Sequence, residues 1–341
     1  MKKIIIFRTD RLGDFIIITS LLKGIKKKFP KSFITVVTSK LNYDFVKKYK
    51  IINKVILYDK NFNLFYKFQL FRFIISKEYF ASFSIDGKTF SNFCSFFLRS
   101  KYKFILFYKF KFLNLSIHKP NIIFKYLFSK YEIFTSKKFL QKVEHLPTKI
   151  ISLGNHLNLN IKNTDKYYFK SHLSLYKFKA KFKNIIKKKY LLIHLDEKWC
   201  DIIDINKNFF KAIVDLQKNT KKNIVLTSFK NNFEYYLRIK KKLTKLNSNK
   251  IMLVENSNLY EMEKLIKYSL FSISCHSGFL IQISGANSTK VVDIINQKDL
   301  LWYSCWKPLN TFHKFIYKSI YNIQISILDI FQDLNRVVSK Y

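Results

Sequence analysis

The chain has 341 residues and 41.1 kDa, enough for two ordinary domains. Hydrophobic residues make up 48% and charged residues 25%, which supplies packed cores and excludes a disordered chain. With 6 Gly and 4 Pro, collagen-like and linker-like classes are excluded too. The formal net charge is +41, a field that favours anionic partners such as nucleic acid, acidic lipid or phosphorylated glycan. Of the 63 basic residues 57 are Lys, beside 36 Phe and 21 Tyr, so drift toward A+T-rich codons is an equally good source of the excess. Residues 251–341 carry only 9 basic and 7 acidic residues, as expected of buried strands around a site.

The opening reads as strand, turn, helix. Ile4–Phe7 is a continuous apolar run suited to a strand buried on both faces. Arg8–Asp14 is polar, and Phe15–Phe29 has helical spacing closed by Pro30. Strands are expected at 33–38 and 54–58, helices at 44–49 and 62–76, and a strand ending in a turn at 83–87. From 101 to 145 the pattern blurs. The basic–aromatic alternation of 101–112 fits an edge strand or an amphipathic surface segment. The Lys-rich stretch 160–189 is the expected interdomain connection. Beyond it, strands are expected at 191–193, 223–226, 251–254, 270–274 and 290–295. Helices are expected at 209–217, 234–243, 259–267 and 279–286, and the second half of 315–341 reads as helical. Alternation of this kind predicts parallel sheets with crossover helices, hence two doubly wound α/β domains.

Four cysteines, at 94, 200, 275 and 305, form no CxxC pair and read as free thiols. The apolar run before Arg8 is too short for a signal-peptide core. The uncharged stretch 268–289 holds His276, Gln282, Asn287 and six serines, so it reads as strand, turn and short helix rather than a membrane span. A cytoplasmic protein is expected, with peripheral attachment to the inner face of the plasma membrane.

Three turns are candidate sites. In Arg8-Thr9-Asp10-Arg11-Leu12-Gly13-Asp14, Gly13 permits a tight turn and Asp14 falls on the first helical turn. Asp14 can serve as a general base or merely cap the helix. Asp86-Gly87 follows a strand in the same manner. His276-Ser277-Gly278 precedes a helix whose first N–H groups can receive a phosphate. His194 and Lys198 follow the strand 191–193; Lys198 can pair with a phosphate or be solvated. The histidines lack a third ligand at metal-site spacing, so no metal and no cofactor is expected.

These segments resemble glycosyltransferase family 9, the heptosyltransferases of lipopolysaccharide core assembly and their relatives. The likeness is carried by Ile5 to Asp14, Ser20-Leu21-Leu22, Lys27-Lys28-Phe29-Pro30 and Ile34-Thr35-Val36-Val37. It continues in Asn53 to Asp59, Ile85-Asp86-Gly87 with Arg99, Ile193-His194 with Lys198-Trp199, and Ser274 to Gly285 with Ser288 to Val292. The resemblance implies a GT-B fold: two Rossmann-like domains facing across a cleft. Residues 1–175 would bind the acceptor and 185–325 the nucleotide sugar, with 326–341 a C-terminal helix that can pack back on the first domain. It implies an inverting transfer from an ADP-heptose-like donor to an anionic glycolipid. Asp14 would be the catalytic base. Lys198, His194, His276, Ser277 and Gly278 would lie on the donor side, and Arg8, Thr9, Asp10, Arg11, Gly13, Asp86 and Gly87 in the acceptor-side turns. Departures fall in the donor domain. The family often has Asp where His276 stands and a His-Pro-Gly start where this chain has His194-Leu195-Asp196. Its late Gly-Pro-Thr-Asp is here Asn296-Gln297-Lys298-Asp299. A ribose-binding acidic residue has no counterpart near Asn231 to Glu234. The alternatives are a non-catalytic relative with a decayed donor site, or a basic nucleic-acid-binding protein. Against the latter, no nucleic-acid module is present, so no nucleic-acid partner is expected.

Overall fold

The computed structural model describes residues 1–108, 111–112, 115–116, 126–134, 144–162, 178, 182–186, 189–228, 233–246, 250–309 and 311–341. The chain divides into two compact units, 1–168 and 169–341, at a point inside the Lys-rich connection. Most of that connection, and Asn231 at the expected ribose position, lie outside the described residues.

The first unit is built on a six-stranded sheet. Its strands are β1 (Lys3–Arg8), β2 (Phe33–Ser39), β3 (Lys54–Tyr58), β4 (Glu78–Ser84), β5 (Arg99–Tyr108) and β6 (Lys130–Phe134). All pairs are parallel and the order is β3-β2-β1-β4-β5-β6, so the winding reverses between β1 and β4. Ile4, Ile5, Ile6 and Phe7 are fully buried, as a central strand covered on both faces requires. The second unit repeats the plan with β7 (Tyr190–Leu195), β8 (Asn223–Ser228), β9 (Ile251–Glu255), β10 (Phe271–Ser274), β11 (Lys290–Asn296), β12 (His313–Ile320) and β13 (Ile323–Gln324). Their order is β9-β8-β7-β10-β11-β12-β13, parallel but for the terminal hairpin, and the reversal lies between β7 and β10. In such sheets ligands sit beyond the carboxyl ends of the strands at the reversal.

Several expectations are corrected. The segment 101–108 is not an edge strand or a surface segment. It lies inside the sheet between β4 and β6, and Phe104 to Phe107 are buried. The helix expected over 15–29 is two, Leu12–Ile17 and Thr19–Lys28. The β-branched run Ile16 to Thr19 crowds the turn, and the Thr19 hydroxyl donates to the Ile16 carbonyl at 2.6 Å, competing with the backbone ladder. The helix Ile327–Val338 buries Ile327, Ile330, Phe331, Leu334 and Val338 in the second unit's core, with Phe331 against Trp199 and Phe209. Its apolar face is thus used within the unit that carries it. The stretch 268–289 is strand, turn and helix, and among the described residues no helix is long and apolar enough to cross a membrane.

Candidate active site

The carboxyl ends of β1 and β4 bring together residues 77 positions apart. Arg8 ends β1 with its side chain wholly buried. Its Nε donates to the Asp14 carbonyl at 3.0 Å, and one terminal nitrogen donates to the Ile85 carbonyl. The guanidinium also faces two carboxylates, Asp10 at 3.5 Å and Asp14 at 3.4 Å. Burial alone would lower the Arg8 pKa, but Asp10, Tyr108 and Asp14 outweigh it and hold the cation more firmly than usual.

Asp14 stands at the third position of the helix Leu12–Ile17, and its Oδ2 accepts the Arg11 N–H at 3.2 Å. It therefore does cap the helix. The cap does not exhaust it: a carboxylate has about four lone-pair sites, and the side chain keeps 20% of its surface exposed. Gly13 lies inside this first helical turn and is buried, so it does not form the tight turn expected of it.

Asp86 is different. Its Oδ2 accepts from the Thr9 N–H at 3.1 Å, the Thr9 hydroxyl at 2.7 Å and the Ser91 hydroxyl at 2.7 Å, and Oδ1 accepts the Lys88 N–H at 3.1 Å. Its role is to tie the two strand ends together. Gly87 has φ +66°, and a Cβ there would lie 2.0 Å from the Tyr108 ring, so both backbone and space demand glycine.

Asp10 is the second carboxylate that faces Arg8. Its carbonyl is held by Ser39 and Asn42, each at 2.8 Å, while Oδ1 is buried without a hydrogen-bond partner. Burial pushes its pKa up to about 7, opposed by Arg8 and assisted by Asp86 and Asp14. The folded protein therefore binds a proton on Asp10 that the unfolded chain has released, and this lowers stability as pH rises from about 4 to about 7. Asp10→Asn is expected to remove that loss. Its melting temperature should gain on the parent's between pH 5 and pH 8, whereas parallel curves would show that Asp10 is ionised throughout.

In the second unit, β7 and β10 place His194, Lys198 and His276 near the reversal. His194 ends inside the strand, not in the loop after it. It is 3% exposed, and its Nδ1 lies 3.2 Å from the Thr227 hydroxyl. Burial, with Lys198 nearby, lowers its pKa to about 4, so it is a neutral core imidazole at pH 7. Lys198 Nζ donates to the His276 carbonyl at 2.6 Å, which pins the loop after β7 to the turn after β10. His276 has φ +54°. Its Nδ1 is 2.8 Å from the Asp293 carboxylate, and its ring stacks on Tyr303. Asp293 is fully buried. Burial would raise its pKa, but His276 and His313 overcome this and hold it below the usual range. The Ser277 N–H is taken by the Ser274 hydroxyl at 3.1 Å, so it is not the phosphate donor the sequence suggested. The helix Gly278–Asn287 has no side-chain cap, and a Cβ at Gly278 would meet nothing within 4 Å. The helix thus starts at an exposed glycine, with its first N–H groups uncapped by a side chain.

Sequence reasoning missed Ser91, Tyr108, Asp293, Tyr303 and His313. No local signal marks them, because each joins its site from another strand or helix.

No protein-family model and no curated protein matches the sequence. Solved structures do match in fold. A glycosyl transferase family 9 protein from Veillonella parvula aligns over 100% of this chain and 98% of its own, at 12% identity and TM-score 0.68. The chain has the fold of glycosyltransferase family 9. The family 9 fold recurs in E. coli heptosyltransferase WaaC with ADP-2-deoxy-2-fluoro heptose, at 12% identity, 98% and 99% coverage and TM-score 0.65. It recurs again in E. coli ADP-heptose lps heptosyltransferase II, at 12% identity, 100% and 99% coverage and TM-score 0.62. This full-length likeness is to GT-B enzymes, whose two Rossmann-like domains correspond to the two units here.

Proposed function

We infer that the chain is an inverting glycosyltransferase that moves a heptose-like sugar from a nucleoside-diphosphate donor to an anionic glycolipid, such as a lipopolysaccharide core. The observation that carries this reading is the Asp14 carboxylate, partly exposed at the winding reversal of a family 9 fold and oriented by Arg8 and Arg11. In one displacement, Asp14 takes the proton of the acceptor hydroxyl as that oxygen bonds the anomeric carbon. The bond from that carbon to the diphosphate oxygen breaks on the opposite face, and the nucleoside diphosphate leaves. The uncapped start of the helix 278–287 and the remaining N–H donors of Lys198 stabilise the charge that develops on it. Asp10, Asp86 and Thr9 build the turn that holds Asp14. The neighbour solved with ADP-2-deoxy-2-fluoro heptose supports an ADP-heptose-like donor.

Gly278→Val tests the donor half. The new side chain has room, so stability should change by less than about 1 kcal/mol while nucleotide affinity falls at least about tenfold. Calorimetric titration with ADP would check it, and unchanged affinity in the folded variant would remove the site.

A further inference from the structure

The helix Leu64–Ile75 is apolar on nearly all sides, yet Ile74 is its only residue fully buried. Leu64 is 84% exposed, Phe65 64% and Phe68 55%. The neighbouring helix Thr89–Phe97 exposes Phe93 and Phe97 by half or more. Phe71 joins the two, with ring centroids 5.0 Å from Phe93 and 5.8 Å from Phe97. The result is one continuous aromatic face, larger than scattered surface residues would produce.

We propose that this face is a membrane-docking surface that inserts its Phe and Leu side chains into the interface of an anionic bilayer. Charge complementarity selects the partner. The sequence has no acidic residue between Asp59 and Glu78, nor between Asp86 and Glu132, while Lys60, Lys67, Arg72, Lys77, Lys88 and Arg99 lie on or beside the two helices. Aromatic side chains ringed by Lys and Arg on a helix surface are the composition of interfacial helices. A second copy of a chain with net charge +41 would be repelled. Nucleic acid is disfavoured because Phe68, Phe71, Phe93 and Phe97 pack against one another, tilted or edge-on, instead of standing apart as a row of free faces for bases. The geometry also suits the reaction. In a parallel sheet the helix starts share an edge with the strand ends, so Leu64 and Phe65 lie toward the edge that carries Asp14 and Asp86. Docking would bring a lipid-borne acceptor to that edge. The proposal does not rest on the transferase reading, because vesicle binding is measured without turnover.

The test is co-sedimentation of the full chain with vesicles of phosphatidylcholine alone or mixed with phosphatidylglycerol. Two variants are compared: Phe65→Ser/Phe68→Ser/Phe93→Ser/Phe97→Ser, and the single Phe65→Glu at a 64% exposed ring, which keeps the fold if the fourfold variant does not. The parent should bind the anionic vesicles, more weakly at high salt, and the variants should bind about tenfold less with unchanged melting temperature. Equal binding by parent and variants, or equal binding to neutral and anionic vesicles, would overturn the proposal. So would a loss confined to single-stranded oligonucleotide binding, or to a concentration-dependent dimer, with vesicle binding intact.

Discussion

Asp14→Asn is expected to lower glycosyl-transfer turnover by roughly a hundredfold or more, with the fold and donor affinity preserved. Asparagine still offers an oxygen to the Arg11 N–H, and Asn and Asp cap helices about equally well, but the change also removes a counter-charge of the buried Arg8, so a stability cost of about 1–3 kcal/mol is expected. What is lost is the proton acceptor. Asp10 is the rival, four residues earlier and facing the same guanidinium. Its burial leaves it largely protonated up to about pH 7, a poor state for a base at the acidic side of neutrality. Asp10→Asn should therefore retain most activity below pH 7. Full activity in Asp14→Asn with loss in Asp10→Asn would transfer the role to Asp10. Steady-state rates for both variants at pH 6 and pH 8 separate the cases.

The second large effect is on stability. Arg8→Met should destabilise the first unit by about 3–5 kcal/mol, because it strips a buried cation from between two carboxylates and abandons the Asp14 and Ile85 carbonyls. The cost should be smaller at pH 5 than at pH 8, since a protonated Asp10 needs no counter-charge. Arg8→Lys should recover only part of it, as one ammonium cannot reach both carbonyls and both carboxylates. Urea unfolding at the two pH values checks this; a change under about 1 kcal/mol at pH 8 would show that the guanidinium is not the site's keystone.

The strands around the site were legible because both central ones are unbroken apolar runs, Ile4–Phe7 and Leu191–Ile193. The motif from Arg8 to Asp14 lies at the edge where the winding reverses. What sequence could not show is which polar residues are already spent. Asp86 looks like a ligand in the sequence and is a brace in the fold, because its partners are Thr9 and Ser91. His194 reads as a loop residue and is core, because β7 runs two residues further than its apolar pattern. His276 reads as a departure from the family's Asp; its partner Asp293 lies on another strand, 17 residues away. The helix 64–75 was visible, but its exposure was not. A segment apolar on nearly all sides gives little periodicity to say which face is covered.

The most direct measurement is a calorimetric titration of the unmodified chain with a panel of nucleotide sugars and their nucleoside diphosphates, beginning with ADP. The transferase account predicts saturable binding of one nucleotide class, weakened in Gly278→Val and unchanged in Asp14→Asn. Binding of no nucleotide by the folded chain, or binding that Gly278→Val leaves intact, would contradict it.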